Sequence, residues 1–433
     1  MKKVRQEIIY LIAMMILGIV IAFLLYVITK QQNYNQKSIE SELLFEKQVA
    51  NVEKELEDLL IRVLIKTTGF KKIYHEQVEV SAESGLVVED EENKIIYDSD
   101  QKAVIKADGK MKIIVPKKMG DKIRIHSVER GYGTPSYGGR IILCPSDKGI
   151  VIVNELPVEE YLCAVVPSEM PASYEKEALK AQAICARCYA YNQMKTMAYP
   201  EYNAHVDDSV SFQVYNNSKE QESTTVAVKE TAGEKLWYED QVAMTYFYST
   251  SSGDSTSVEA WGTKIVDANQ YLKGVTIADD DGNDYEKNLA WYRWSAKIPR
   301  ETMQVLIEKN TGEDIGKLKS IEITKKGPGG VVLEIEVSGS EGSLCVQTEN
   351  KIRKTLGGDG YEIKKQDGTT IDSMKLLPSA FFDIEKSKDC FIINGGGYGH
   401  GIGMSQNGAN ELAKAGKSYR EILEFFYPGT KVE

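Results

Sequence analysis

The amino-acid sequence predicts an α+β fold that is rich in strands. Short segments in which apolar and polar residues alternate, many of them β-branched, recur between residues 61 and 153 and favour strands. Apolar residues three and four positions apart indicate a long helix from about Tyr174 to Lys195. Further strand-like and helical segments follow without an internal repeat. A chain of 433 residues can form two or three structural units.

The individual elements follow from the same patterns. Turn residues such as Asp108-Gly109 separate the strands of the first half. The predicted strands are Ile61–Lys66, Lys71–Val80, Lys94–Tyr97, Ala103–Ala107, Met111–Val115, Ile123–Ser127, Arg140–Leu143, Gly149–Val153, Gln213–Tyr215, Val242–Tyr248, Ser320–Thr324, Val331–Val337 and Cys390–Asn394. Besides the long helix, the predicted helices are a short one that ends at Val166, then Glu349–Leu356, Gly408–Ala415 and Ser418–Phe426.

An uncharged apolar run, Ile8–Ile28, precedes all of these elements. As a helix it would be roughly 30 Å long, which matches the hydrocarbon core of a bilayer. Lys2, Lys3 and Arg5 lie ahead of it, so we expect a single-pass anchor with the N-terminus in the cytoplasm and the rest of the chain outside. A cleaved signal peptide is the alternative, but the run is longer than a signal peptide's apolar core and no small-x-small cleavage site follows it.

The sequence thus predicts four segments. Residues 1–29 form a cytoplasmic tip and the transmembrane anchor. Residues 30–59, whose apolar residues share one helical stripe, form a helical stalk. Residues 60–128 form a strand-rich region, and residues 129–433 form the main exported domain.

Charge and cysteine content narrow the classes of function. A formal net charge of -11 disfavours a nucleic-acid partner, which would prefer a basic face. Six cysteines are too few and too scattered for a disulfide scaffold. Cys185 and Cys188 share one face in the middle of a helix, which favours packing over redox or zinc chemistry. The sequence contains no G-x-S-x-G nucleophile motif and no Walker-type phosphate loop.

Glu169 lies between Pro167 and Pro171, in a segment that two prolines make rigid. A rigid turn can hold a general acid or base in place. The alternative is that Glu169 caps the helix that follows. A nearby helix N-terminus would lower the pKa of the carboxyl group, whereas protonation of a glycosidic oxygen needs a raised pKa. For catalysis, burial against apolar neighbours such as Met170 would have to raise the pKa by more than the helix N-terminus lowers it.

A second group of polar residues lies in a glycine-rich loop, Asn394–Ala409. So many glycines indicate that the backbone closely approaches a ligand or another segment. This loop carries His400 and Gln406, which are either substrate contacts or braces of the loop itself.

Several long motifs, which lie at both ends of the predicted main domain, resemble the stage II sporulation protein D family (SpoIID/LytB domain). The motifs are VNELPVEEYL (residues 153–162), PSEMP (167–171), EALKAQA (177–183), ARCYA (186–190), GGYGHGIGMSQNGA (396–409) and ILEFFYPGT (422–430). The resemblance implies a lytic transglycosylase that cleaves the MurNAc–GlcNAc bond of peptidoglycan in sporulation, during engulfment of the forespore.

The same resemblance implies roles for individual residues. Glu169 falls on the position of the family's catalytic glutamate and would act first as acid and then as base, so that no second carboxyl group is required. Arg187 and Tyr189 are expected to contact the substrate, together with His400 and Gln406. No cofactor is expected. The expected partners are peptidoglycan glycan strands, the membrane, and the engulfment amidase/endopeptidase and membrane scaffold, stage II sporulation proteins P and M.

The chain departs from part of the family at a zinc site. Some members bind zinc in the segment that matches residues 205–213 of this chain. Here Asp207, Ser211 and Phe212 stand where cysteine and histidine would be, so that His205 is left alone and no metal is expected. Two non-catalytic functions remain open, because the family also contains amidase enhancers that activate a partner hydrolase, and because the glycine-rich loop of an anchored scaffold could bind wall polymer.

Overall fold

The computed structural model of the protein describes residues 60–433. The predicted anchor, Ile8–Ile28, and the predicted stalk, residues 30–59, lie outside this range. Within residues 60–433, none of the helices is both long and apolar enough to cross a bilayer. The fold is of the α+β class and rich in strands, as the sequence predicts.

Two sheets form the N-terminal part of the structure. Their strands are β1 (Leu60–Ile65), β2 (Gln77–Ala82), β3 (Leu86–Glu89), β4 (Lys94–Tyr97), β5 (Ala103–Lys106), β6 (Lys112–Pro116), β7 (Ile123–Ile125), β8 (Ser136–Tyr137), β9 (Arg140–Ser146), β10 (Gly149–Pro157) and β11 (Val206–Asp207). One sheet has the strand order β11-β1-β10-β9-β6-β3-β4, and the other has the order β5-β2-β7-β8. Strands β10 and β9 pair along their length, because Gly149 of β10 lies opposite Ser146 of β9 and Glu155 of β10 lies opposite Arg140 of β9.

The predicted boundary between residues 128 and 129 does not separate two cores. β6, which precedes it, pairs with β9, which follows it. One cluster of buried apolar side chains joins strands of both sheets to a helix, α1 (Val158–Glu169). The strand-rich region and the start of the main domain therefore fold together.

A second helix, α2 (Lys176–Met194), is buried on two sides, and α3 (Glu222–Glu230) packs against it. Ala183 and Ala186 of α2 contact the core of the two sheets, while Ala181 lies in a second core that includes the C-terminal helices. Small side chains let the neighbouring elements approach α2 closely. Cys185 and Cys188 are buried free thiols in this second core, so the packing role that the sequence predicts is confirmed.

Helix α1 continues further than the sequence predicts. It does not end at Val166, because Pro167 lies inside its last turn and Glu169 is its final residue. Proline removes one helical hydrogen bond, but the turn around it stays closed. The N–H of Met170 donates to the carbonyl of Val166 at 2.9 Å, and the hydroxyl of Ser168 donates to a carbonyl one turn earlier at 2.8 Å.

Short strands lead from the helices to a subdomain with its own core. They are β12 (Leu236–Tyr238), β13 (Gln241–Val242) and β14 (Phe247–Tyr248). The subdomain consists of β15 (Trp294–Pro299), α4 (Arg300–Thr311), β16 (Ser320–Lys326), β17 (Val332–Ser338), β18 (Ser343–Gln347), α5 (Glu349–Leu356), β19 (Glu362–Lys365), β20 (Thr370–Asp372), β21 (Phe382–Lys386) and β22 (Cys390–Gly395). Its sheets have the orders β20-β19-β15-β22-β21 and β16-β17-β18. The buried residues of this subdomain, here called the insert subdomain, span residues 294–393.

The chain then returns to the helices of the main body. Its last elements are β23 (Met404–Ser405), α6 (Gln406–Lys414), α7 (Tyr419–Phe426) and β24 (Lys431–Val432). Ser405 caps α6 by accepting the N–H of Gly408, and Ser418 and Glu421 form a capping box on α7. β23 pairs in parallel with β14, and both helices pack against α2. This arrangement places the glycine-rich loop beside the end of α1.

Candidate active site

Glu169, at the C-terminal end of α1, is half-buried in a cleft. Its Oε1 accepts a hydrogen bond of 2.5 Å from the backbone N–H of Val214. Burial raises the pKa of the Glu169 carboxyl group to about 7, and the hydrogen bond from Val214 opposes that rise. Near neutral pH such a group is populated in both protonation states, which suits an acid–base catalyst.

The contact with Val214 also explains why the predicted strand Gln213–Tyr215 is wrong. Residues 213–215 form no strand in the structure. The N–H of Val214 donates to Glu169, and the N–H of Tyr215 donates to the carbonyl of Asp208 at 3.2 Å. These two donors are therefore not available to a neighbouring strand.

The geometry does not support the alternative in which Glu169 caps the following helix. α2 begins at Lys176, and the backbone N–H of its N-cap, Glu175, donates to the side chain of Asn410 at 2.8 Å. Glu169 is instead the last residue of α1, where the negative end of the helix dipole disfavours an ionised carboxylate. The end of α1 and burial consequently both raise the pKa of Glu169. The sequence predicted that a helix N-terminus would oppose burial, and this does not occur.

Aromatic rings form one wall of the cleft, whose volume is about 380 Å³. The ring centre of Tyr246 lies 6.4 Å from the ring centre of Tyr189 and 4.8 Å from the ring centre of Trp261. The ring centres of Trp261 and His400 are 5.0 Å apart. Flat apolar surfaces with polar edges suit the apolar faces of sugar rings. The other lining residues are Glu169, Val210, Ser211, Phe212, Gln213, Thr245 and Phe247.

Glu169 is the only acidic side chain among the described residues that line this cleft. Hydrolysis by two carboxyl groups needs the second group to activate water or to attack the sugar. The cleft therefore suits a reaction in which one carboxyl group both gives and takes a proton.

His400 faces the cleft from the glycine-rich loop. Its Nδ1 accepts a hydrogen bond of 3.1 Å from the backbone N–H of Ile402. Burial lowers the pKa of His400 to about 3, and the charge of Arg353 acts in the same direction. The ring is therefore neutral at physiological pH. The backbone of Phe247 also hydrogen-bonds this ring. His400 therefore braces the loop and does not supply a proton as an imidazolium.

Glycine is required at Gly401, next to His400, for two reasons. Its φ of +80° lies in the left-handed region, which side chains disfavour. A Cβ atom there would also lie 2.4 Å from the ring of Phe381. This close approach between loop and ring is what the run of glycines predicts.

Gln406, predicted as a substrate contact, lies behind Glu169 and does not line the cleft. Its Nε2 donates to the backbone carbonyl of Glu169 at 3.0 Å and approaches the side-chain oxygen of Gln182 at 3.4 Å. Since Gln406 is the first residue of α6, this bond ties the end of α1 to the start of α6. The residue holds the backbone of Glu169 in place.

Arg187 is likewise not brought to the cleft, in contrast to the sequence-based expectation. Its side chain is fully buried, and its Nε and Nη2 donate to the two carboxylate oxygens of Glu159 at 2.6 Å and 2.7 Å. Its remaining donors bind the carbonyls of Val228 and Glu234. Because α2 is buried on both sides, only Tyr189 of the two predicted residues reaches the cleft.

Trp261 and Tyr246 line the cleft, but no sequence motif predicts either of them as a site residue. Trp261 ends a short 3-10 helix, Val258–Trp261, within a segment rich in serine, threonine and glycine. The one feature of the sequence that could have indicated a site residue here is a large aromatic side chain in a segment of small and polar residues. Neither residue is near Glu169 in the sequence, so their position depends on long-range packing.

Comparisons with known proteins show the family to which the chain belongs. A family model described as "Stage II sporulation protein" matches residues 146–238, a range that includes Glu169 and Tyr189. Stage II sporulation protein D of Bacillus subtilis (strain 168) is 33% identical over 294 residues, which cover 65% of this chain and 75% of that protein. This chain belongs to the stage II sporulation protein D family.

Two further relatives are similar to this member of the family. Stage II sporulation protein D of Bacillus amyloliquefaciens is 32% identical over 295 residues, with 65% of this chain and 75% of that protein covered. The amidase enhancer of Bacillus subtilis (strain 168) is 32% identical over 299 residues, which cover 62% of this chain but 40% of the enhancer. A second family model, described as a domain of unknown function (DUF8618), matches residues 234–403 and so includes Trp261, His400 and the insert subdomain.

The segment in which some family members bind zinc has other contacts here. His205 Nδ1 accepts the backbone N–H of Arg62 at 3.1 Å, and Asp207 forms an ion pair of 2.7 Å with Lys66. Across the part of the chain that the structure describes, no three His, Cys, Asp or Glu side chains are grouped so that they could hold a metal ion. The expectation that the protein binds no zinc remains a prediction.

Proposed function

We propose that this protein is a peptidoglycan lytic transglycosylase that cleaves MurNAc–GlcNAc bonds with Glu169 as the general acid and base. The observation that carries the proposal concerns Glu169, whose pKa is raised to about 7: it is the one carboxyl group among the cleft-lining residues in the described range 60–433. Family membership supports a substrate in the cell wall, because relatives are named for sporulation and for amidase enhancement.

The reaction uses one carboxyl group twice, first as an acid and then as a base. Glu169, in its protonated form, gives its proton to the glycosidic oxygen as the bond from C1 of MurNAc to that oxygen breaks. The GlcNAc then leaves with a free 4-hydroxyl group. The Glu169 carboxylate next removes the proton from the 6-hydroxyl group of the same MurNAc, whose oxygen forms a new bond to C1. The product is a 1,6-anhydro sugar, and Glu169 is protonated again.

Other cleft residues would bind and orient the glycan. Tyr189, Tyr246 and Trp261 offer ring surfaces for sugar stacking, and the neutral ring of His400 adds to the wall of the cleft. Gln406 would position Glu169 through its backbone. In this scheme Arg187 has a structural role, because its charge is paired inside the protein.

We further propose that the protein acts at the outer face of the cell membrane in sporulation, during engulfment of the forespore. The uncharged run Ile8–Ile28 with basic residues before it supports a single-pass anchor. Peptidoglycan glycan strands would be the substrate. Stage II sporulation proteins P and M would be partners at the membrane.

Similarity to an amidase enhancer supports a second candidate, a non-catalytic activator of a partner hydrolase. Muropeptide analysis separates the two functions. The purified protein, incubated alone with purified peptidoglycan, should release products with 1,6-anhydro ends. An enhancer would release none alone and would increase cleavage only when an amidase is added.

A further inference from the structure

A second groove lies at the insert subdomain, with a volume of about 690 Å³ that exceeds the volume of the cleft. Strands β15, β21 and β22 contribute to it, as do the end of β19 and the glycine-rich loop. We call it the basic groove, because its lining includes four cationic side chains: Arg293, Lys326, Lys364 and Lys365.

A row of polar side chains crosses the sheet along this groove. Lys364 lies opposite Ser295, and Ser295 lies opposite Asn394 on the next strand. Asn394 in turn lies opposite Asp383. Residues opposite one another share one face of a sheet, and neighbouring strands are about 4.8 Å apart, so the row is roughly 14 Å long. All four residues line the groove.

The lining of the groove also includes two carboxylates, Asp254 and Asp383, so the four cations outnumber the acidic groups by two. Lys326 forms an ion pair of 2.7 Å with Asp383. Arg293, Lys364 and Lys365 form no ion pair with any carboxylate of residues 60–433. Three such cations along one groove are a local exception in a chain with a net charge of -11.

Two of these cations are also held in position. The guanidinium of Arg293 donates to the carbonyl of Ser252 at 3.0 Å and lies 3.9 Å from the ring centre of Tyr292. The ammonium of Lys365 lies 5.4 Å from the ring centre of Trp291. Lys364 is exposed at the end of the polar row. Charges that are ordered without an anionic partner favour the binding of an external anion.

The glycine-rich loop connects the groove to the cleft. Gly395 and Gly396 line the groove, and His400 lines the cleft. Four residues of extended chain span at most about 14 Å, so the Cα atoms of Gly396 and His400 lie within that distance. The ring of Phe381, which lines the groove, packs against Gly401 beside His400. The cleft and the groove are therefore close enough for one polymer strand to reach both.

We propose that the basic groove binds carboxylate groups of the glycan strand that occupies the cleft. The identity of this polymer rests on the proposed function. The carboxylates have two possible sources: the lactyl group of MurNAc in strands without peptides, and the attached peptides in strands that carry them. Serine, asparagine and glutamine side chains in the groove offer hydrogen bonds beside the cations.

Binding measurements with three ligands test this proposal. The full-length protein in detergent, carrying Glu169→Gln so that no strand is cut, is titrated with labelled peptide-bearing strands, peptide-free strands and uncharged GlcNAc oligomers. Lys364→Gln should weaken binding of carboxylate-bearing strands about two- to fivefold, as expected for one exposed charge pair, and Lys364→Glu should weaken it further. Lys297→Gln is the matched control, because Lys297 is exposed on the same strand as Ser295 but does not line the groove.

The ligands decide between the outcomes. A loss that is confined to carboxylate-bearing strands and shrinks with added salt supports the proposal, and the strand type with the larger loss identifies the source of the carboxylate. Unchanged binding of both strand types by Lys364→Glu would overturn it, and so would an equal loss for the uncharged oligomers. Since binding is measured without cleavage, a wild-type protein that fails to cut glycan contradicts the proposed function and not this result.

Discussion

The indole N–H of Trp261 donates a hydrogen bond of 2.9 Å to the carboxylate of Glu349. Trp261 belongs to the aromatic wall of the cleft, and Glu349 is the first residue of α5 in the insert subdomain. Arg353 binds the other oxygen of Glu349 at 3.1 Å. Glu349 is 1% exposed, so water does not compete for this contact. The insert subdomain thereby holds one wall of the candidate active site.

This contact predicts a binding defect when Glu349 is shortened. Glu349→Ala should raise the KM for glycan several-fold with a smaller change in kcat, because Trp261 loses its acceptor while Glu169 is untouched. It should also lower the free energy of unfolding by about 1–3 kcal/mol, the usual cost of leaving buried polar partners unsatisfied. Glu349→Gln keeps an acceptor for Trp261 and should retain a nearly wild-type KM. Steady-state kinetics with an unchanged KM for Glu349→Ala would refute the bracing role.

The raised pKa of Glu169 predicts how activity depends on pH. The first step needs the protonated form, which is lost as pH rises through about 7. The value of kcat/KM should therefore fall about tenfold per pH unit well above 7. Initial rates of anhydro-product formation from pH 5 to 9 measure this, and a flat profile between pH 7 and 9 would show that Glu169 is not the acid.

Stability should depend on pH for the same reason. The carboxyl group binds its proton more tightly in the folded protein, since its pKa rises from 4.5 to about 7, so Glu169 favours the folded state most at low pH. This contribution is lost as pH rises from about 4.5 through about 7. Glu169→Gln removes it, and the variant should gain stability relative to wild type between pH 5 and pH 8 in urea unfolding.

A second buried carboxyl group serves as the internal control for that measurement. Burial also raises the pKa of Glu286 to about 7, although Ser251 and Ser405 hydrogen-bond it. The Glu169→Gln variant keeps Glu286 and should therefore keep part of the pH dependence. A stability difference between variant and wild type that stays constant from pH 5 to pH 8 would contradict the shift at Glu169.

Local patterns predicted much of the fold. Helix α5 was predicted with the bounds that it has, Glu349–Leu356, and β4 was predicted with the bounds Lys94–Tyr97. Alternation of apolar residues identifies strands because one face is buried, and that information is local. The proline-rich setting of Glu169 and its place in the family motif indicate that it is the candidate acid. They do not predict that Glu169 is the last residue of a helix.

Long-range contacts explain what the sequence could not provide. Whether Arg187 faces a cleft or a core depends on Glu159 and on the elements that cover α2. Gln406 reaches the backbone of Glu169 across 237 positions of sequence, and Trp261 reaches Glu349 across 88. The insert subdomain was missed because its elements resemble those on either side, and a separate core is visible only in three dimensions.

Proton transfer by Glu169, the proposed basis of glycan cleavage, is tested most directly by one comparison. Wild-type protein and Glu169→Gln are each incubated with purified peptidoglycan, and muropeptides with 1,6-anhydro ends are counted. Glutamine keeps the shape of the side chain but cannot transfer the proton, so release should fall by roughly 10²–10⁴-fold, with the variant still folded. Release of anhydro products by Glu169→Gln at the wild-type rate would contradict the account.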